Sequence, residues 1–153
     1  MINYMSKSSL DITIKNPLIF YTGVDWCTTP NNNFWGGEDV KSPDEKTMFD
    51  PSPVGWRVPP YKGSASPWTA FTKTTFKSSN YGRIYNNETF YPFAGFRDNS
   101  SGVLYGVGSY GRCWSGSPSG TRAYYLHFSD YIIYSRIHSN YRGYGYSVRC
   151  VKE

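Results

Sequence analysis

Good helix formers, histidine, cysteine and long apolar runs are all scarce in this chain, and each scarcity removes a class of protein. Ala, Leu and Glu are few and no heptad pattern runs through the 153 residues, so a coiled coil is excluded. The longest apolar stretches, such as Pro17-Leu18-Ile19-Phe20, fall far short of the ~20 residues that a membrane span needs. The two histidines, His127 and His138, sit in no recognisable partner motif, which leaves a catalytic triad without its base. The alternation Tyr125-Leu126-His127-Phe128 puts His127 on the Tyr125 side of a strand, as an exposed or hydrogen-bonded ring. Three cysteines, Cys27, Cys113 and Cys150, contain no C-x-x-C pair and match no zinc spacing; they permit one disulfide and leave one thiol over. No Asp-x-Asp-x-Asp run offers oxygen ligands for calcium, and Asp39, Asp44 and Glu45 with Lys41 and Lys46 read as a solvated loop. The expectation is a chain with no cofactor and no metal. Residues 1–7 lack the charged start and apolar core of a secretory signal, which points to a protein acting where it is made or to a segment of a longer secreted chain.

What is abundant is aromatic. Aromatic residues make up 19% of the chain, with 15 Tyr, 9 Phe and 5 Trp, and 12 of the Tyr lie between Tyr81 and Tyr146. So many rings can bury the area that ordering a chain requires, and the length suits one domain, taken as residues 1–153 with 1–15 as a peripheral segment. The net charge is +5, yet from Asn80 to Val151 every fixed positive charge is Arg, all eight Lys lying at positions 7–77 and 152. Arg interleaved with Tyr can contact phosphates and stack on bases, but no dense basic stripe is present, so nucleic acid is not an expected partner. Tyr with Ser, Gly, Asn and Arg is the vocabulary of a recognition surface, broad rigid rings beside adaptable small polar groups. The plainer reading is a sheet with Tyr and Ser on its wet side.

Leu10–Ile14 predicts a short helix or strand that ends before Asn16-Pro17, since a residue before proline avoids the α region. Thr28–Asn33 and Gly36-Gly37 are turn-rich, and Asp50–Gly55 is a rigid approach to Trp56–Pro60. Ser66–Phe71 reads as a short helix with Ser66 as cap and Pro67 in first position. Beyond Tyr81 the pattern becomes short strands: Phe90–Phe96 and a hairpin-like Arg97–Gly102 loop, then Val103–Val107, Arg112–Ser115, Ala123–Phe128, Ile132–Ile137 and Tyr146–Val151. Strands in the second half after one or two helices in the first predict an α+β class. Gly106-Val107-Gly108-Ser109-Tyr110-Gly111 matches G-x-G-x-x-G, but Arg112–Pro118 cannot open the helix that a dinucleotide site needs, so it is a turn between strands. Gly116-Ser117-Pro118-Ser119-Gly120 has Pro118 where a nucleophile elbow needs its serine.

Two stretches name a family. Asp50-Pro51-Ser52-Pro53-Val54-Gly55-Trp56-Arg57-Val58-Pro59 resembles the D-P-C-P-x-G-W-R-[VL]-P signature of the Fibrobacter-type major paralogous domain, also frequent in fimbrillin-like surface proteins of Bacteroidetes. Gly145-Tyr146-Ser147-Val148-Arg149-Cys150-Val151 is similar to its G-F-S-V-R-C-V terminus, and Phe90–Arg97 and Trp114–Ser117 match its W-Y-P-A-A-G-Y-R and W-S-A-S segments in order. The resemblance covers roughly Asn16 to Glu153 and implies a C-type-lectin-like fold, a small antiparallel sheet with flanking helices and a loop-bearing binding face. It also implies a cysteine at Ser52 paired with Cys150; with serine there, a free, buried Cys150 is the simplest expectation. Some members resemble the variable proteins of diversity-generating retroelements, in which adenine-directed mutagenesis of AAC or AAT codons cannot give Lys, Trp, Met, Gln or Glu. Ser129–Tyr141 is built from the permitted set, as are Tyr110, Arg112 and Cys113.

These readings converge on a non-enzymatic, adhesin-like binding domain. Its contact residues are expected to be Tyr110, Arg112, Cys113, Ser129, Asp130, Tyr131, Ile132, Tyr134, Arg136, Ile137, His138, Ser139, Asn140 and Tyr144, with Trp56, Trp68 and Trp114 holding the face rigid. Asp50, Arg57 and Arg149 are assigned to structure. The expected partner is a protein or glycan on another cell, met from a cell surface or virion, without calcium, because the E-P-N, Q-P-D and W-N-D ligand motifs of true C-type lectins are missing. The alternatives are a carbohydrate-binding module that uses exposed aromatics, a structural pilus or virion subunit and, more distantly, an enzyme related to the formylglycine-generating fold.

Overall fold

The computed structural model describes residues 4–35, 46–61, 66–135 and 138–153, the side chains of residues 4–6 excepted. Strands β1 (Tyr4–Ser8) and β2 (Phe20–Cys27) run parallel, joined across the six-residue helix α1 (Leu10–Lys15). The helix ends at Asn16, just before Pro17, as expected. Asp11 in its first turn and Lys15 in its last pair at 3.0 Å, each sign at the favoured end of the dipole. It buries none of its residues. The N-terminal segment expected at the periphery is thus tied to β2 through β1.

Strand β3 (Trp56–Arg57) follows the Asp50 loop, which is closed from inside. The buried Asp50 carboxylate accepts the N–H groups of Ser52 and Val58 at 2.7 and 3.0 Å, while the Lys46 ammonium donates to the carbonyls of Ser52, Pro53 and Trp56. A 3-10 helix, Pro67–Ala70, starts at the expected proline, but Ser66 makes no side-chain cap; its hydroxyl is buried instead. Next comes the meander β4 (Phe76–Ser79), β5 (Gly82–Tyr85) and β6 (Thr89–Pro92), turning through Asn86 and Asn87 in the left-handed region that asparagine tolerates. Strands β7 (Phe96–Arg97) and β8 (Leu104–Tyr105) form a hairpin whose loop is organised by Asp98, its carboxylate accepting from both Ser100 and Ser101.

The longest ladder is antiparallel β9 (Gly111–Ser119) with β10 (Arg122–Phe128). The other edge of β10 is shared by β11 (Ile133–Tyr134) near its end and β12 (Ser139–Tyr141) near its start. The free edge of β9 takes Ser147, whose carbonyl accepts the Trp114 N–H at 2.9 Å, and β13 (Val151–Lys152) closes the chain on β3. Gly106 and Gly108 turn at positive φ directly into β9, so the glycine motif is a turn between strands and no helix follows it.

Alternation splits β9 and β10 into two sides. Gly111, Cys113, Leu126 and Phe128 face the meander, where Tyr61, Trp68, Phe71, Phe76, Tyr91 and Phe93 complete the main core. Gly111 is required there, since a Cβ would enter the Phe128 ring. Trp114, Tyr125 and Tyr146 form a smaller cluster on the other side. The expected α+β, C-type-lectin-like architecture is therefore corrected: the fold is β-rich, with almost no helix. The physical reason is burial. α1 buries nothing and the 3-10 helix buries only Trp68, so the meander and the β9–β10 sheet cover each other, with the loop rings of Tyr61, Phe71 and Phe93 completing the core, and no helical layer forms among the described residues. Trp56, expected to brace the face, is 44% exposed on a two-residue strand and braces nothing comparable to Trp68 or Trp114.

The meander is locked to the β10–β11 turn by the buried Arg83. Its guanidinium donates to the carbonyls of Ser129 (2.7 Å), Asp130 (2.8 Å) and Phe76, and burial lowers its pKa from the ordinary value. Replacing Arg83 by Met leaves three carbonyls without donors and should cost about 3 kcal/mol in urea unfolding, with Arg83→Lys recovering only part because an ammonium cannot span the fork.

Candidate functional site

The side of β9–β10 turned away from the main core carries a continuous array of rings. Tyr110, at the end of the glycine turn, lies 5.6 Å from His127 on β10; His127 stacks on Tyr134 of β11 at 5.8 Å, and Tyr134 meets His138 at 4.4 Å. His138 reaches Tyr125 at 6.2 Å, and Tyr125 leads through Tyr146 to Trp114 at 4.9 and 4.1 Å. These positions follow from strand register, because Arg112 pairs with His127 across β9–β10 and His127 with Tyr134 across β10–β11, all on one side of the pleat.

Arg112 sits at the centre. Its guanidinium lies 3.8 Å from the Phe96 ring centroid, donates from Nη1 to the Tyr146 hydroxyl at 3.0 Å and from Nε to His127 Nδ1 at 3.3 Å. The cation thus stands on an aromatic face while its N–H groups fix two neighbouring rings, an arrangement worth about 1–2 kcal/mol when partly desolvated. Asn140 Nδ2 donates to the same Tyr146 hydroxyl at 2.8 Å. Burial pushes the Tyr146 phenol up, so it stays a neutral anchor. Burial, then the charge of Arg112, then His138 pull His127 down to about 4. With Nδ1 accepting from Arg112, the neutral His127 is a flat plate whose proton is on Nε2, and it holds no spare base at Nδ1.

Exposure grades across the array. Tyr110 is 41% exposed, Tyr134 43% and Tyr131 87%, whereas Trp114, Tyr125, His127 and Tyr146 are buried beneath them. Of the residues expected in contact, Tyr110, Arg112, Tyr134, His138, Asn140 and Tyr144 come together in or beside the array, Tyr144 through Phe96 and Tyr146 at 6.0 and 5.6 Å. Asp130, Tyr131 and Ile132 lie on the turn after β10, and Ser139 pairs with Tyr124. Arg136 and Ile137 lie outside the described residues. Two expectations change. Cys113 points into the main core, where burial raises its thiol to about 12, and Ser129 is buried with its hydroxyl accepting from Tyr131 and Ile132, so both belong to the body of the fold. Tyr125, His127 and Tyr146 were not among the expected contacts, nor was the neighbouring rim of Leu104, Tyr105 and Val107, each about half-exposed or more. The i, i+2 alternation of Tyr125 and His127 was the signal for the first two; nothing local marks the rim.

All three cysteines are free, Cys150 half-buried rather than fully enclosed. Among the described residues no group of three or more His, Cys, Asp and Glu side chains gathers to hold a metal ion, and no helix is long and apolar enough to cross a membrane. No family model, no curated protein and no solved structure matches the chain.

Two measurements test this geometry. The unfolded chain takes up the His127 proton near pH 6.5 and the folded chain only near 4, so between those values the unfolded state holds more protons and stability falls as pH falls. The loss at pH 4 should be about 2 kcal/mol after allowance for solvent near the ring, and His127→Gln should flatten it. Asp98, held down to about 2 by its serine partners, loses its contribution only below this window. A thiol reagent applied to the native protein should label Cys150 first and leave Cys27 and Cys113 unlabelled until unfolding.

Proposed function

We propose that the chain is a non-enzymatic recognition domain whose binding face is the ring array of β9, β10 and β11 together with the turn at 130–132, displayed on a cell surface or virion. The observation that carries it is the two-sidedness of β9–β10. One side is closed core; the other presents Tyr110, Tyr134 and His138 on a bed of buried rings fixed by Arg112. Rings held before binding lose little entropy on binding, and Tyr gives large contact area from few rotors. The aliphatic rim favours a protein partner over a glycan for this face. Leu104 and Val107 can contribute only by apolar burial, and the rim reaches the array through the Tyr105–Phe96 contact at 6.1 Å, with Phe96 lying under Arg112.

The same division separates positions that could vary from those that could not, which bears on the resemblance to retroelement-diversified proteins. Sequencing the codons for residues 103–153 across a natural population should show substitutions at Tyr110, Asp130, Tyr131, Tyr134 and His138. Cys113, Trp114, Leu126, Phe128, Ser129 and Tyr146 should stay constant. Constancy throughout would overturn the diversified face, and substitutions spread evenly over core and surface would overturn it as well.

A further inference from the structure

Trp114 also walls a second feature, a cavity of about 70 Å³ between the segment 26–35 and β9. Its flat walls are Trp26, Phe34, Trp35 and Trp114, with Asn32 and Ser115 as polar neighbours. It continues, past Asn32 and Arg142, into a groove of about 660 Å³ whose lining includes Thr28, Thr29 and Thr121 beside Leu10 and Pro30.

The charges beside it are spent. Arg142 donates from Nε to the Arg122 carbonyl, from Nη1 to the Asn31 carbonyl, and from Nη2 to Asn32 Oδ1 and the Gly120 carbonyl. The same Nη1 pairs at 3.5 Å with the buried Asp25 carboxylate, so the two charges offset each other and four of the five guanidinium N–H groups are already bonded within the chain. The indole N–H groups of Trp26, Trp35 and Trp114 donate to no acceptor among the described residues, nor are they among the buried polar atoms left without a partner. Indole walls with donors at their edges, an amide and a run of hydroxyls suit a neutral ring that is apolar on its faces and hydroxylated at its rim. The cavity has room for on the order of five water-sized positions, the scale of one sugar ring. The continuing groove sets Leu10, Pro30 and Phe34 among Ser9, Thr28, Thr29 and Thr121, a mixed lining that suits the apolar faces and hydroxylated edges of a sugar chain; a proline-rich peptide is the competing occupant that the test includes.

We propose that this cavity and groove bind a neutral oligosaccharide, one sugar ring held among Trp26, Phe34 and Trp35 and the following units laid along the threonine hydroxyls. The site shares no exposed residue with the β9–β11 face and stands whether or not that face binds a protein. Three of the 5 tryptophans line the cavity, so intrinsic fluorescence reads it directly. The full chain is titrated with cellotriose, mannotriose and N-acetylchitotriose, the corresponding monosaccharides, an acidic trigalacturonate and a proline decapeptide. The expected result is a saturable emission shift with at least one neutral trisaccharide and about tenfold weaker binding of its monosaccharide. Trp35→Ala, on a half-buried turn, should weaken binding about tenfold or more. Thr29→Val, at an exposed position outside both core clusters, should weaken it about threefold and keeps the test open if Trp35→Ala does not fold. No saturable shift with any neutral trisaccharide overturns the proposal. So does a response confined to the acidic trimer or the peptide, or binding left unchanged by both variants.

Discussion

Backbone carbonyls that no ladder reaches are the constraint this fold is built around. Many of its strands are only two to four residues long, so much of the chain is turn and loop whose polar groups still need partners. Long cationic side chains supply them. Arg83 serves three carbonyls, Lys46 three and Arg142 four acceptors with Asp25 as counter-charge, while Arg149 bonds the Phe90 carbonyl and lies 4.6 Å from the Tyr91 ring centroid. Each guanidinium reaches across elements that are far apart in sequence and replaces part of what a longer ladder would provide.

That economy changes the meaning of the arginine bias. A run of Arg without Lys beside many Tyr invites a reading as recognition surface. Among the described arginines of the second half, Arg97, Arg112, Arg122, Arg142 and Arg149 all lie against rings or backbone carbonyls of the chain itself. A fork with five donors and a flat stackable face suits that work: Arg142 spreads its bonds over several acceptors, while Arg112, Arg122 and Arg149 lie against rings in a way that a compact ammonium does not reproduce. In the array the same chemistry supports exposed rings, since Arg112 fixes the rings that Tyr110 and Tyr134 rest upon.

The strands from Gly111 to Phe128 were legible because their side chains alternate, and the Arg97–Gly102 hairpin and the glycine turn were legible because Asp, Ser and Gly occupy positions whose geometry needs them. The helical class was not. Leu10–Lys15 has the composition of a helix and forms one, but sequence pattern does not say whether six residues will be buried, and these are not. Strand β2 and the β4–β5 hairpin went unseen because Gly23, Asp25 and the Lys77-Ser78-Ser79 run break any apolar period. The expected strand Arg112–Ser115 stops short of Pro118, which sits within β9, opposite Ala123 just before the register shift where a strand tolerates proline. For the face, codon-permitted composition puts Cys113 in the expected contact set, and the strand geometry returns it to the core, because alternation along β9 sets it on the opposite side from Arg112 and Trp114.

The diversified binding face proposed for β9–β11 would have to solve two problems at once. Its outer residues have to be replaceable without unfolding the domain, and its inner residues have to hold their positions whatever stands above them. The ring bed does both. Trp114, Tyr125 and Tyr146 are buried against one another and cross-bonded through the Tyr146 hydroxyl to Arg112 and Asn140, so their order does not depend on the identity of residues 131 or 134. The outer rings make contacts worth about 0.5–1.5 kcal/mol each, small against removal of a core ring at roughly 3–5 kcal/mol. Substitution on the outside is therefore tolerable to the fold while substitution one layer down is not, and on the proposed reading that difference in depth, rather than any feature of composition, is what would let the face change its partner while the scaffold stays.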